Sequence, residues 1–145
     1  MVSMDRMDGL FVGTAFFIQL VLAAFFALRK WRFDAAMQWG WIVYAMAMPA
    51  VLVSSVLLIH DKPWTLRLAG FLYAVWAILG YMVDIAHPIA WRTPIVWSVL
   101  IPYVLLYLTA QMFYWWPLAA IYRPLWFAYG ALFAASTLLN LTSHA

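Results

Sequence analysis

Cysteine is absent from the chain. Its absence excludes disulfides, thiolate metal centres and cysteine nucleophiles, and leaves the redox state of the compartment unreadable. Charge is scarce as well. Charged residues make up 9% of the 145 positions, where a soluble domain carries about a quarter. There is no glycine-rich phosphate loop, no H-E-x-x-H pair and no nucleophile elbow. No basic stripe lines a polar face. The basic residues sit in short segments between apolar runs, so the net charge of +3 reads as a set of topology signals. A nucleic-acid partner is not expected.

What the chain does have is apolar and aromatic. Hydrophobic residues reach 69%, aromatics 19% with 10 Trp, and the mean hydropathy is +0.94. Soluble domains are about half apolar, so the composition predicts an integral membrane protein. Trp and Tyr suit the level where hydrocarbon meets water. The opening "MVSMDRMDGL" mixes charges, and no small-residue cleavage site follows the first apolar run. That run is expected to remain as a helix and not to be removed as a signal peptide.

A spanning helix needs roughly 20 mostly apolar residues. The chain offers five such stretches, 9–28, 36–59, 63–87, 94–116 and 124–141, all in one domain over 1–145. The breaks carry proline, charge or both. "RKWR" ends the first, "HDKP" ends the second, Asp61 is the expected N-cap of the third, and Thr93–Pro94 and Arg123–Pro124 open the last two. Backbone groups in hydrocarbon must be satisfied within the segment, and runs without strict alternation select helix over barrel. The predicted fold is therefore an all-α bundle of five transmembrane helices, kinked at Pro49 and Pro102. Arg29, Lys30, Arg32 and Arg92 fall on one side and Arg6, Lys62, Arg67 and Arg123 on the other, a tie. The cluster after the first span orients the chain with its N-terminus outside and its C-terminus in the cytoplasm.

Helical spacing turns isolated polar residues into faces. Gly70, Tyr73, Ala77, Gly80, Asp84 and His87 form one stripe on the third span. Tyr103, Tyr107, Gln111 and Tyr114 form another on the fourth, and Tyr122, Trp126, Tyr129, Phe133, Ser136 and Asn140 a third on the fifth. Gln19 and Gln38 add amides on the first two spans. An amide or phenol facing lipid is costly, so the stripes are expected to face inward. Two readings follow. Either they are interhelical hydrogen bonds, or they line a cavity in which Tyr73, Gly80, Tyr103, Tyr107, Gln111, Trp126, Tyr129 and Asn140 hold a ligand.

The stretch "DIAHPIAWRTP", from Asp84 to Pro94, concentrates an acid, a histidine and an arginine. It has the same two-sided character. Asp84 can pair with Arg92 while His87 and Pro88 end the helix. Alternatively Asp84 and His87 are a catalytic acid–base pair and Arg92 stabilises developing negative charge. One Asp and one His are half a metal set, completed only by Asn140, His144 or His60, so no metal site is predicted. No histidine pair falls at mid-depth for bis-His haem, and no cofactor is named by the residues. "NLT" at Asn140 matches a glycosylation sequon but sits at a helix end.

Three functions compete. The first is binding of a lipophilic or aromatic small molecule in the aromatic-lined interior, with membrane lipids as surroundings. The second is a non-catalytic accessory or assembly subunit, a homodimer or a partner in a membrane complex. The third is an intramembrane enzyme using Asp84 and His87 on a lipid-soluble substrate. A proton-coupled carrier would need charge deeper in the membrane than Asp84.

Overall fold

The computed structural model describes residues 5–91 and 94–143. Arg92, Thr93 and His144 lie outside the described residues, and with them the expected anion-holding arginine, the expected cap of the fourth span and one candidate metal ligand. Every long element among the described residues is helical, and five stretches are long and apolar enough to cross a membrane: Arg6–Trp31, Phe33–Ile59, Trp64–Ala86, Trp97–Ile121 and Arg123–Thr142.

Helix α1 (Arg6–Trp31) starts at Asp5, whose carboxylate accepts the Asp8 N–H at 2.7 Å and satisfies one of the orphan donors of a helix start. At 26 residues it is about 39 Å long. Phe11, Ala15, Ile18, Gln19, Leu22 and Phe26 recur at helical spacing and are buried. The second stretch comes in three pieces: α2 (Phe33–Trp39), α3 (Trp41–Ala45) and α4 (Ala47–Ile59), separated at Gly40 and Met46. Pro49 lies just beyond the second break. A proline donates no N–H and crowds the carbonyl four residues back, here Ala45, which accounts for an interruption at that point.

The end of α4 departs from the sequence reading. Asp61 does not cap the next helix. It adopts φ 54°, its N–H bonds Leu58 O at 3.2 Å, and the Lys62 N–H bonds Leu57 O at 3.0 Å. This is a Schellman closure, with an aspartate where glycine is usual. The next helix, α5 (Trp64–Tyr81), follows Pro63 without a side-chain cap. A π-helical turn at Met82–Ala86 extends it. The helix α6 (Trp97–Trp115) begins after Val96, with Pro94 in a preceding turn, and is continuous through Pro102. A short α7 (Leu118–Ile121) and extended Tyr122 lead into α8 (Arg123–Thr142), which carries Pro124 in its first turn.

Helix α4 packs along α5, α5 along α6, and α1 along α8, while α1 also touches α2, α3 and α4. Polar contacts tie both ends of α1. Lys62, in the α4–α5 loop, pairs with Asp5 at 2.6 Å and Asp8 at 3.1 Å. At the other end Arg29 donates to Ser143 Oγ at 2.9 Å and to the Asn140 side chain. The α4–α5 contact is backbone-close. The Gly70 N–H donates to Ser54 Oγ at 2.9 Å, and a Cβ at Gly70 would overlap that oxygen and the Ala50 carbonyl. Small residues at such crossings let helices approach closely. Outside, Met48, Ile59 and Leu138 expose 72%, 77% and 63% of their surface.

Candidate functional site

The π turn shapes the end of α5. The His87 N–H reaches back five residues to Met82 O at 2.9 Å, and such wide turns are frequent at functional sites. Regular helix would place Asp84 and His87 on one face. The wider turn carries His87 off the buried stripe, and its side chain is exposed and makes none of the hydrogen bonds found among the described residues. The expected Asp84–His87 adjacency therefore does not arise from a shared helix face.

Asp84 is held by other residues. It is half-buried. One carboxylate oxygen accepts the Tyr44 hydroxyl and the other accepts Trp91 Nε1 at 2.9 Å. The Tyr44 hydroxyl also lies 3.0 Å from that of Tyr103. The carboxylate thereby joins α3, the end of α5, the α5–α6 connection and α6. Gly80 makes room for this knot, since a Cβ there would enter the Tyr44 ring. Trp91 is 2% exposed and its ring sits 4.8 Å from that of Tyr103. Trp76 stands behind the knot, with the rings of Tyr44, Tyr73, Tyr103 and Tyr107 at 5.3–5.4 Å. Aromatic contacts of this kind add about 0.5–1.5 kcal/mol each beyond area burial.

A second network crosses the middle of the bundle. Tyr129 donates to Gln111 Oε1 at 2.6 Å and lies 3.3 Å from Gln19 Oε1. Gln19 Nε2 donates to Ser136 Oγ at 2.5 Å, and Ser136 in turn donates to Phe133 O at 3.0 Å. Gln19, Gln111, Tyr129 and Ser136 have no exposed surface. The polar stripes of the first, fourth and fifth stretches thus face one another.

Within this interior several polar atoms are buried without a hydrogen-bond partner among the described residues. Along the core these are Trp76 Nε1, Tyr107 Oη, Gln111 Nε2 and Tyr114 Oη; Arg67 Nε and Trp126 Nε1 lie nearer the ends. An unpaired buried group costs about 1–3 kcal/mol.

Of the residues read as ligand contacts, Tyr73 donates to Val43 O at 2.5 Å, Asn140 accepts from Arg29, and Gly80 abuts Tyr44. Trp126 stacks on Trp115 at 4.9 Å. Tyr103 belongs to the Asp84 knot and Tyr107 to the Trp76 cluster, while Gln111 and Tyr129 belong to the central network. Gln38 and Tyr122 are exposed. No group of three or more His, Asp or Glu side chains among the described residues is placed to hold a metal ion.

Sequence reasoning did not single out Tyr44, Trp91 or Trp76. Tyr44 is 40 residues from Asp84, Trp91 sits in a connection without helical period, and neither signals its partner. Open grooves flank the bundle. One of about 260 Å³ runs between α3–α4 and α5, with Trp41, Tyr44, Ala45, Ala47, Ala77 and Tyr81 among its walls. Another of about 370 Å³ is lined by Trp64, Met112, Phe113 and Trp116. No protein-family model, no curated protein and no solved structure matches the chain.

Proposed function

We propose that this is a multi-pass membrane protein that binds a lipid-soluble molecule in the lateral groove beside Asp84. Five apolar stretches of spanning length and an outer face of bare Met, Ile and Leu side chains support the membrane setting. Pro49 and Pro102 kink the second and fourth crossings. The N-terminus lies outside and the C-terminus in the cytoplasm, as the Arg29, Lys30 and Arg32 cluster after the first crossing favours.

The observation that carries the binding reading is the double role of Tyr44. Its ring walls the groove and its hydroxyl reaches Asp84, so an apolar slot ends at a polar contact. That combination suits a molecule with a long apolar body and a hydroxyl head, of the isoprenoid-alcohol or sterol class. At about 260 Å³ the groove is slightly below the usual 300–1,000 Å³ of small-molecule sites. It holds one portion of the molecule, and the rest lies in the bilayer. Binding is favoured over catalysis because both Asp84 oxygens are engaged by Tyr44 and Trp91, while His87 is exposed.

The test is native mass spectrometry of gently solubilised protein. Wild type is expected to retain a lipophilic adduct. Ala45→Trp, which fills the groove, should lose it, and Leu138→Trp, on the exposed face of α8, should keep it. Equal retention by both variants, or no adduct on wild type, refutes the reading.

A further inference from the structure

The orphaned polar atoms of the core follow a pattern. Tyr107, Gln111 and Tyr114 lie on one face of α6 at steps of four and three, with Tyr103 one turn before them. Tyr103 to Tyr114 spans about 16 Å of helix axis, more than half of a hydrocarbon core about 30 Å thick. Trp76 Nε1 joins the series from α5, through a ring in contact with both Tyr103 and Tyr107. Gln111, Tyr114 and Trp76 are 0%, 2% and 3% exposed.

The series connects two networks that are each internally bonded. At one end stands the Asp84–Tyr44–Tyr103 knot, whose half-buried carboxylate touches the surface. In the middle stands the Gln19–Gln111–Tyr129–Ser136 network. The bridging atoms are close-set among aromatic rings, so whatever meets them is small and able both to donate and to accept. Water has those properties and is the usual partner of buried polar groups.

We infer that internal water joins the two networks along α6 and makes the bundle core a path for protons. The inference rests on the membrane-spanning reading above and is independent of the groove ligand. Water and the hydroxyls of Tyr44, Tyr103, Tyr107, Tyr129 and Tyr114 each release one proton as they accept another, so the column returns to its starting state after reorientation. Gln111 Nε2 and Trp76 Nε1 orient water and relay nothing. Asp84 is the acid that exchanges protons at its end; among the described residues the groups facing it include Tyr44 from α3, Trp91 from the connection and, through Tyr44, Tyr103 from α6. The interior is packed with side chains, so hydrated metal ions are excluded.

The experiment uses the full chain in proteoliposomes of neutral phospholipid loaded with a pH-sensitive dye, with flotation to verify insertion. An imposed pH gradient should collapse at least tenfold faster than in protein-free vesicles. Tyr107→Phe should remove most of the difference while leaving insertion and thermal unfolding intact; Asp84→Asn should also slow the flux but lower the unfolding temperature, because an amide has one acceptor oxygen for the two donors on Asp84. Sodium and potassium gradients should persist. Radiolytic labelling in isotopically heavy water, read by mass spectrometry and normalised to the intrinsic reactivity of each side chain, should oxidise the partly buried Tyr107 and the buried Trp76 faster than the buried Phe11. Inserted protein with proton leakage no faster than empty vesicles overturns the inference. So does flux indifferent to Tyr107→Phe, or slow labelling of both residues. Failure of flotation would instead sink the membrane reading.

Discussion

Gly70→Ala is the most exacting perturbation of this fold. The added methyl would sit well inside van der Waals contact of the Ala50 carbonyl oxygen and Ser54 Oγ. Ser54 can rotate away; the Ala50 carbonyl belongs to the backbone of α4 and cannot. Overpacking of a fitted contact costs about 1–3 kcal/mol. Displacing Ser54 also forfeits its bond from the Gly70 N–H, about 0.6 kcal/mol for an average polar contact in a membrane. The better helix propensity of alanine returns about 0.5–1 kcal/mol. The balance is a loss of about 1–3 kcal/mol, or roughly 2–12 °C in Tm at 2–4 °C per kcal/mol for a chain of this size. The control is Gly13→Ala, where a Cβ meets nothing within 4 Å and only the propensity gain remains. Thermal unfolding of both variants in the same mild detergent should move in opposite directions. Adding Ser54→Ala to Gly70→Ala should recover only part of the loss, because the carbonyl contact persists. If Gly70→Ala unfolds at the temperature of Gly13→Ala, the close α4–α5 crossing is wrong.

Tyr129→Phe should destabilise by about 2 kcal/mol, because it leaves the Gln111 and Gln19 carbonyls without their donor; an unchanged unfolding curve would remove the central network. Asp61→Gly should stabilise by up to about 1 kcal/mol, read as a slightly higher Tm, since glycine adopts the φ of 54° without steric penalty. Gly80→Ala should push the Tyr44 ring off Asp84, read as a change in tyrosine fluorescence and loss of the groove-bound adduct, whereas a silent substitution would contradict the Tyr44 placement. The Asp5–Lys62 pair sets a pH window. The Lys62 ammonium and the Asp8 N–H hold the Asp5 carboxyl below its ordinary 3.8, so its contribution is present above 3.8 and is lost as pH falls through the lowered value. The Asp5 carboxylate raises Lys62 above its ordinary 10.5, so that contribution is present below 10.5 and is lost as pH rises through the raised value. Both groups lie near the surface, so the expected drops in Tm are small; in Asp5→Asn the acid one should vanish and the alkaline one should shrink but persist, because Asp8 still faces Lys62.

The inward faces were legible because a buried amide or phenol among apolar neighbours has few places to go. Gln19, Gln111, Tyr129 and Ser136 lie at helical spacing on three different stretches, and burial brings them together. The partners of Asp84 were not legible. A regular 3.6-residue period was projected through Met82–Ala86, where the backbone takes a wider turn, and so His87 was placed beside the acid. Nothing local marks that widening. Asp61 misled for a related reason. Aspartate before a proline and a helix reads as an N-cap, yet it also tolerates the left-handed conformation that ends the preceding helix. The tie of Tyr44 to Asp84 depends on how α3 lies against α5, a tertiary fact that Gly80 permits but does not announce.

The bond between Gln19 and Ser136 joins residues 117 apart, on the first and last helices of the chain. During synthesis at about 5–20 residues per second, Gln19 is made about 6–23 seconds before Ser136. Through that interval the Gln19 amide must be sheltered by the insertion machinery, by water or by a temporary neighbour. On the membrane-spanning reading proposed above, a nascent chain stalled before α8 lacks both Ser136 and Tyr129, the α8 residues that hold the Gln19 side chain in the finished protein.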